Sequence, residues 1–77
     1  MYVCLFLLMR IVFTTHAITQ MKERGISEDE IIQTIMYPET TLKIDTVYYV
    51  QKKILQGTIE VVYIRENYIK VITVYPL

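Results

Sequence analysis

The chain has 77 residues, of which 53% are hydrophobic and 21% are charged, so it is neither an intrinsically disordered nor a fibrous protein. At the usual domain size of roughly 100–150 residues, this length predicts a single domain over residues 1–77. Eight Lys and Arg residues balance eight Asp and Glu residues. This balance excludes a strong attraction of the whole molecule to nucleic acid, but it leaves a local basic patch open.

Cysteine and histidine are too scarce for a cross-linked or metal-stabilised fold. The single cysteine, Cys4, cannot form an internal disulfide, and with one histidine it cannot complete a zinc site. We therefore expect no metal and no cofactor. A small core without a cross-link, in a chain of zero net charge, favours self-association, so we also expect a homo-oligomer.

The first nine residues are uncharged and mostly apolar, and Arg10 ends this run. A membrane-spanning helix needs about 20 apolar residues, and a secretory signal needs a basic start and a small-residue cleavage site. The sequence therefore predicts no membrane span and a cytoplasmic location. Three interpretations of residues 1–8 remain open. This apolar N-terminal extension is an ordered strand or helix packed on the domain, an interface segment, or a product of start-site choice if Met9 is the natural start.

A strand and a helix follow. Arg10–Phe13 is β-branched or aromatic, as is typical of a strand. Thr14 or Thr15 offers a hydroxyl for the N-cap of a helix over His16–Arg24, and Gly25 suits its left-handed C-terminal cap. On the apolar side of this helix lie Ala17, Ile18 and Met21. On the polar side, by four-residue spacing, lie His16, Gln20, Glu23 and Arg24.

A second helix begins at Ser27, where the pattern is unusually clear. Ser27 and Glu30 form a capping box, and acidic residues fill the first turn, where the helix dipole favours negative charge. Ile26 can pack as a hydrophobic staple. Pro38 ends the helix near Tyr37. The expected buried face consists of Ile31, Ile32, Ile35 and Met36.

The rest of the chain is rich in Val, Ile, Thr and Tyr and predicts strands over Thr41–Ile44, Thr46–Ile54, Thr58–Arg65 and Tyr68–Tyr75. Turns are expected at Gln56–Gly57 and Glu66–Asn67. One face of the last two strands carries Ile59, Val61, Tyr63, Ile69, Val71 and Thr73. The opposite face is also largely apolar, so we expect one face to pack on the helices. The N-terminal segment or an interface would then cover the other. Helices followed by strands predict an α+β fold in two layers.

Two patterns of polar residues suggest chemistry. A helix N-terminus favours the neutral imidazole, so His16 can act as a general base. Arg24 lies about 12 Å along the same helix face, where a guanidinium can hold a phosphate. Alternatively, His16 bonds a neighbouring carbonyl and Arg24 is a solvated cation.

Strand tyrosines interleaved with cations, among them Tyr63 and Lys70, can stack RNA bases and hold phosphates. Alternatively, Tyr is simply a good strand former.

Three short motifs carry a family resemblance, namely TTHA at residues 14–17, RGIS at residues 24–27 and VITVYP at residues 71–76. With Met21, Ile31 and Pro38 between them, the chain resembles a small prokaryotic domain family of unknown function over about residues 9–77. Members of that family typically read T-x-H-A, R-G-I-S and V-x-T-V-Y-P. The family is similar to the RelE/ParE-like toxin group.

The resemblance implies a RelE-like fold, in which two helices pack on a twisted antiparallel sheet of about four strands, here with an N-terminal apolar strand. It also implies a toxin-like ribonuclease that needs no metal, with RNA as its substrate and an antitoxin protein as its partner. By position, His16 would be the base and Tyr75 the acid. Arg24 or Lys70 would stabilise the charge of the transition state. Thr73 would join Lys70 and Tyr63 in binding substrate.

A non-catalytic interaction module that self-associates or binds a protein partner is the alternative function. The enzyme requires His16, Arg24 and a Tyr or Lys of the last strand on one exposed surface. The interaction module requires those groups to be scattered or buried, with a large apolar patch at an interface.

Overall fold

Two helices lie against one face of a β-sheet. The structure, a computed structural model, describes residues 2–4, 9–55 and 57–77. Within those residues the elements are, in chain order, β1 (Tyr2–Cys4), β2 (Met9–Phe13), α1 (Thr15–Arg24), α2 (Glu28–Met36), β3 (Thr40–Ile44), β4 (Val47–Ile54), β5 (Gly57–Arg65) and β6 (Ile69–Pro76). The α+β class expected from the sequence is confirmed.

Both helices are capped as the sequence predicts, and α1 begins at Thr15, one residue before the expected start at His16. The Thr14 hydroxyl accepts a hydrogen bond from the Ala17 amide, so Thr14 is the N-cap of α1. Gly25 ends α1 with φ 66°, a left-handed conformation that glycine adopts at little cost. At α2 the Glu30 amide donates to the Ser27 hydroxyl, and the Ser27 amide donates to the Glu30 carboxylate. This reciprocal pair is the capping box, and it satisfies two amides that a helix start would leave unpaired.

The sheet differs from the expected four antiparallel strands. Among the described residues it has six strands in the order β1-β2-β6-β5-β4-β3. Strands β3 to β6 form an antiparallel meander, but β2 pairs in parallel with β6, with Ile11 opposite Ile69 and Phe13 opposite Val71. The sheet is therefore mixed. The strand pattern of β2 was predicted, but its pairing with the end of the chain is a long-range contact that no local pattern encodes.

The described part of the apolar N-terminal extension, β1, pairs antiparallel with β2 and lengthens the sheet at its edge. It does not lie over either face of the sheet. The remaining positions of the extension, residues 1 and 5–8, lie outside the described residues.

The core lies between the two helices and the facing side of the sheet. Its buried apolar side chains are Ile11, Ala17, Met21, Ile26, Ile31, Ile32, Ile35, Val50, Ile59, Val61, Tyr63, Ile69, Val71 and Val74. The buried hydroxyl of Thr34 donates to the Glu30 carbonyl at 2.7 Å, so it is satisfied within α2. Burial of this apolar set is the main force that holds the two layers together.

A register shift in β6 moves Thr73 away from the expected face. Tyr63 on β5 pairs with Val71. The preceding residue, Val62, pairs with Thr73, which leaves Ile72 as an extra residue between the two pairs. Thr73 therefore faces the side opposite to Val71, and the residue after it is the one buried under the helices. The prediction that Thr73 shares a face with Ile69 and Val71 was wrong because a bulge breaks the alternation.

The other side of the sheet, which we call the open face, is not covered by either helix. Strand alternation and register place on it Arg10, Val12, Leu42, Ile44, Tyr49, Gln51, Lys53, Glu60, Val62, Ile64, Lys70, Thr73 and Tyr75. Leu42 is 56% exposed and Ile44 is 53% exposed on this side. The open face thus combines apolar side chains with a small set of charged ones.

Candidate functional site

The start of α1 is anchored to the last strand. The Thr14 amide donates to the Val71 carbonyl at 3.1 Å, and the Thr14 hydroxyl donates to the Ile72 carbonyl at 3.0 Å. The same hydroxyl accepts the Ala17 amide, and the Ala17 side chain is fully buried beneath the helix. Thr14 and Ala17 therefore set the position of the first helical turn relative to β6.

Gln20 continues this contact along the edge of β6. Strand β2 ends at Phe13, opposite Val71, so none of the described strands pairs with the second half of β6 on that side. The Gln20 side-chain oxygen fills this role. It accepts the Thr73 hydroxyl at 2.5 Å and the Val74 amide at 3.0 Å. A helix side chain thus completes the hydrogen bonding of a strand edge.

His16 is exposed in the first turn of α1, between Thr14 and Ala17. It lies four residues before Gln20 and therefore on the same flank of the helix, which is the flank that contacts β6. Among the described residues, no hydrogen bond or ion pair involves the imidazole. The bond to a neighbouring carbonyl, the structural alternative for this histidine, is not present in the described part of the chain.

Arg24 is exposed in the last residue of α1. It lies about 12 Å along the helix axis from His16. Side chains of a helix lean towards its N-terminus, so the guanidinium leans back towards His16. Within the described residues it has no carboxylate partner. Gln20 lies between the two side chains on the same flank, and its own side chain is turned to β6.

Tyr75, the predicted acid, lies on the open face in a hydrogen-bonded row across three strands. Its hydroxyl donates to the Glu60 carboxylate on β5. The other oxygen of Glu60 accepts the Gln51 side-chain amide from β4 at 2.9 Å. The register explains this row, because Glu60 pairs with Tyr75 on one side and with Gln51 on the other. The three side chains are half-buried.

Lys70 and Tyr63 are not part of this row. Lys70 is exposed on the open face and precedes Tyr75 by five residues, or about 17 Å along the strand. Tyr63 is 6% exposed on the helix side, where its ring stacks on that of Tyr48 with centroids 5.0 Å apart. Burial raises the pKa of Tyr63 above its usual 10.0, with a smaller raising effect of Tyr48 and an opposing effect of Arg65.

Part of the predicted set lies along β6. The turn of α1 that carries His16 is anchored at Val71 and Ile72, Thr73 bonds to Gln20, and Tyr75 follows on the same strand. Tyr63 belongs to the core, and Lys70 directly precedes Val71 on the open face. Sequence reasoning missed two groups. Gln20 could have been recognised from its four-residue spacing to His16, whereas Glu60 could be placed beside Tyr75 only once the strand register was known.

The described residues contain neither a metal-binding cluster nor a membrane-spanning helix. Within them, no group of three or more His, Cys, Asp or Glu side chains is close enough to hold a metal ion. No helix among them is both long and apolar enough to cross a membrane.

Comparison with known proteins finds one family. Residues 13–76 match the family described as Domain of unknown function (DUF4258), a match that runs from the end of β2 to the end of β6. No curated protein and no solved structure matches the chain.

Proposed function

The chain belongs to this family of unknown function, and we propose that it is a toxin-like protein, related to the RelE/ParE-like group, that cleaves RNA. One observation carries the proposal. His16 is exposed, has no bond among the described residues, and sits on a helical turn that Thr14 and Ala17 hold against β6. Packing accounts for its neighbours but not for the histidine itself, which leaves it available for a substrate.

The proposed reaction uses the 2′-hydroxyl of the RNA as the nucleophile. His16 removes its proton, the 2′-oxygen bonds to the adjacent phosphorus, and the bond from phosphorus to the 5′-oxygen breaks. The leaving 5′-oxygen takes a proton from water, and the products carry a 2′,3′-cyclic phosphate and a 5′-hydroxyl. Arg24 stabilises the negative charge that builds up on the phosphate oxygens. No metal takes part in these steps.

Tyr75 has a different place in this proposal from the acid that the resemblance implies. Its hydroxyl proton is directed at Glu60, so it would have to leave that carboxylate to protonate a leaving oxygen. We therefore place Tyr75, with Thr73, among the groups that bind the RNA beside the reacting phosphate. Lys70 adds a positive charge further along the same strand.

The proposed biology follows from this activity. A chain that cleaves RNA would act in the cytoplasm and would need an antitoxin protein to hold it inactive. The apolar part of the open face, including Leu42 and Ile44, offers such a protein a surface to bind.

The test is cleavage of a short single-stranded RNA labelled at both ends. We expect the wild-type chain to give products with 2′,3′-cyclic phosphate ends, and an RNA with 2′-O-methyl groups throughout to remain intact. His16→Ala should lower the cleavage rate by about 100-fold or more without a change in thermal stability. The matched control is Thr19→Ala, an exposed position on the same helix, which should cleave at the wild-type rate.

The role of Arg24 is tested with Lys22 as the control. Arg24→Ala should slow cleavage, whereas Lys22→Ala, which removes another exposed positive charge from α1, should not. Equal rates for His16→Ala and the wild type, or an RNA left intact by the wild-type chain, would refute the proposal.

A second candidate function is a non-catalytic interaction module, which the open face specifically favours. Leu42 and Ile44 lie next to each other on the edge strand β3 and are both more than half exposed. Sedimentation velocity tests this function. Association that grows with protein concentration and is lost in Leu42→Asp, in a chain that leaves RNA intact, would favour it over the ribonuclease.

A further inference from the structure

We propose that the open face carries a guanine-binding site in which Glu60, held by Tyr75 and Gln51, reads the edge of one base of the bound RNA. This inference rests on the proposed RNA-cleaving function and adds to it a preference for guanine near the cleavage point. It concerns the row of Tyr75, Glu60 and Gln51, none of which takes part in the bond-breaking steps of the proposed reaction.

The first argument is the way in which Glu60 is held. Tyr75 donates to one carboxylate oxygen and Gln51 donates to the other, from the two neighbouring strands. Each carboxylate oxygen can accept two hydrogen bonds, so each keeps one acceptor position. Because both partners reach Glu60 from neighbouring strands and neither helix covers this face, we place the remaining positions on the solvent side of the carboxylate. The carboxylate is thus fixed in orientation and is ready for a ligand with two parallel N–H donors.

The second argument is the chemistry of the bases. Guanine has two adjacent donors on its Watson–Crick edge, the ring N1–H and the 2-amino group, which match the two oxygens of a carboxylate. Adenine and cytosine each place an acceptor nitrogen next to their amino group, and uracil places carbonyls on both sides of its single N–H. A carboxylate, which only accepts, is repelled by those acceptors. Glu60 therefore selects guanine.

The third argument is the charge of the open face. Although the whole chain has a formal net charge of zero, alternation along the described strands places Arg10, Lys53 and Lys70 on this face, with Glu60 as the one carboxylate among those strand residues. The face is therefore positive, and the acidic residues of α2 lie on the opposite side of the sheet. A polyanion is the occupant that this distribution favours over a second neutral copy of the chain.

The fourth argument is the position of Glu60 relative to His16. Tyr75 follows Thr73 by two residues on β6, and Thr73 bonds to Gln20, one helical turn from His16. Glu60 lies one strand further in. One strand spacing of about 4.8 Å therefore separates Glu60 from β6, the strand at whose edge α1 binds. A short RNA segment that passes over this edge can place one base on Glu60 and a nearby phosphate beside His16.

The experiment measures binding of the His16→Ala chain, which leaves the RNA uncleaved, to fluorescein-labelled RNA pentamers by fluorescence anisotropy. The pentamers are oligouridylates whose central base is guanine, adenine or hypoxanthine. Hypoxanthine, the base of inosine, differs from guanine only by the missing 2-amino group. We expect the guanine pentamer to bind about tenfold more tightly than the other two.

Glu60→Gln, added to His16→Ala, should remove this preference, because an amide presents one donor and one acceptor. Its affinity for the adenine pentamer should not fall, because the amide can pair with the donor and the acceptor of adenine. Glu28→Gln, an exposed carboxylate on α2 on the opposite side of the sheet, is the matched control and should keep the preference. The comparison of guanine with hypoxanthine uses no change at Glu60, so it tests the inference even if Glu60→Gln fails to fold.

The outcomes separate the two proposals. Equal affinity for all three pentamers, in a chain whose wild-type form cleaves RNA, would overturn the guanine site and leave the proposed function standing. No binding to any pentamer and no cleavage would overturn both. An arginine side chain offers the same two donors as guanine. Glu60-dependent binding of an arginine-containing peptide without binding of RNA would therefore overturn the nucleotide assignment in favour of a protein partner.

Discussion

Gln20 provides a sharp test of how the helix and the last strand are joined. Its side-chain oxygen accepts both the Thr73 hydroxyl and the Val74 amide. Gln20→Ala removes this acceptor from two donors. The Thr73 hydroxyl can turn towards water, but the Val74 amide belongs to a fully buried residue and loses its partner.

The expected magnitude follows from these two bonds. A hydrogen bond contributes about 1 kcal/mol net, and an unsatisfied buried donor costs about 1–3 kcal/mol. We therefore expect Gln20→Ala to lower the free energy of unfolding by about 2 kcal/mol. For a chain of this size that corresponds to a fall in Tm of about 10 °C. Gln20→Glu keeps an acceptor of the same shape, so its free energy of unfolding should fall much less.

The assay is urea unfolding followed by circular dichroism, with the change read from the midpoint at constant m. Gln33→Ala is the matched control, because Gln33 is an exposed glutamine on α2 and its change should stay within about 0.5 kcal/mol. Amide hydrogen exchange adds a local measurement, since the Val74 amide should exchange at least tenfold faster in Gln20→Ala. A Gln20→Ala chain as stable as Gln33→Ala, with Val74 still protected, would refute the reasoning.

Three further predictions concern other local features. Thr14→Ala removes the N-cap of α1 and its bond to β6, and thermal unfolding should report a loss of about 2 kcal/mol, whereas Thr15→Ala should be nearly neutral. Ser27→Ala breaks the capping box of α2 and should cost about 1 kcal/mol in the same assay. Because the pKa of Tyr63 is raised in the folded chain, its share of the stability is fully present below pH 10 and is lost as the pH rises through the folded pKa. Urea unfolding at increasing pH above 10 should therefore show a steeper loss of stability for the wild type than for Tyr63→Phe, and parallel curves would contradict the prediction.

Local sequence patterns could predict the positions of some candidate site residues but not of others. The exposed position of His16 follows from its place in the first turn of a helix whose apolar side was readable from the spacing of Ala17 and Met21. The burial of Tyr63 did not follow, because a tyrosine in a strand suits either a surface or a core. Only the position of its strand under the helices put Tyr63 in the core. The position of Glu60 between Gln51 and Tyr75 became known only with the strand register.

The sequence by itself determined the helix ends, because caps are hydrogen bonds between residues three or four positions apart. Thr14, Gly25 and the pair Ser27 and Glu30 specify their local geometry whatever the rest of the chain does. The strands after Pro38 were equally readable, since β-branched and aromatic runs between turn residues favour extended backbone wherever they occur.

Only the tertiary structure decided which strands are neighbours. The parallel pairing of β2 with β6 joins residues almost sixty positions apart, and it ends at Phe13, which leaves the edge that Gln20 completes. The bulge at Ile72 adds one residue to β6 opposite β5 and so turns Thr73 to the open face. Such contacts depend on the packing of distant segments. The surface of the proposed site therefore forms only when the strands have paired and the helices have packed on the sheet.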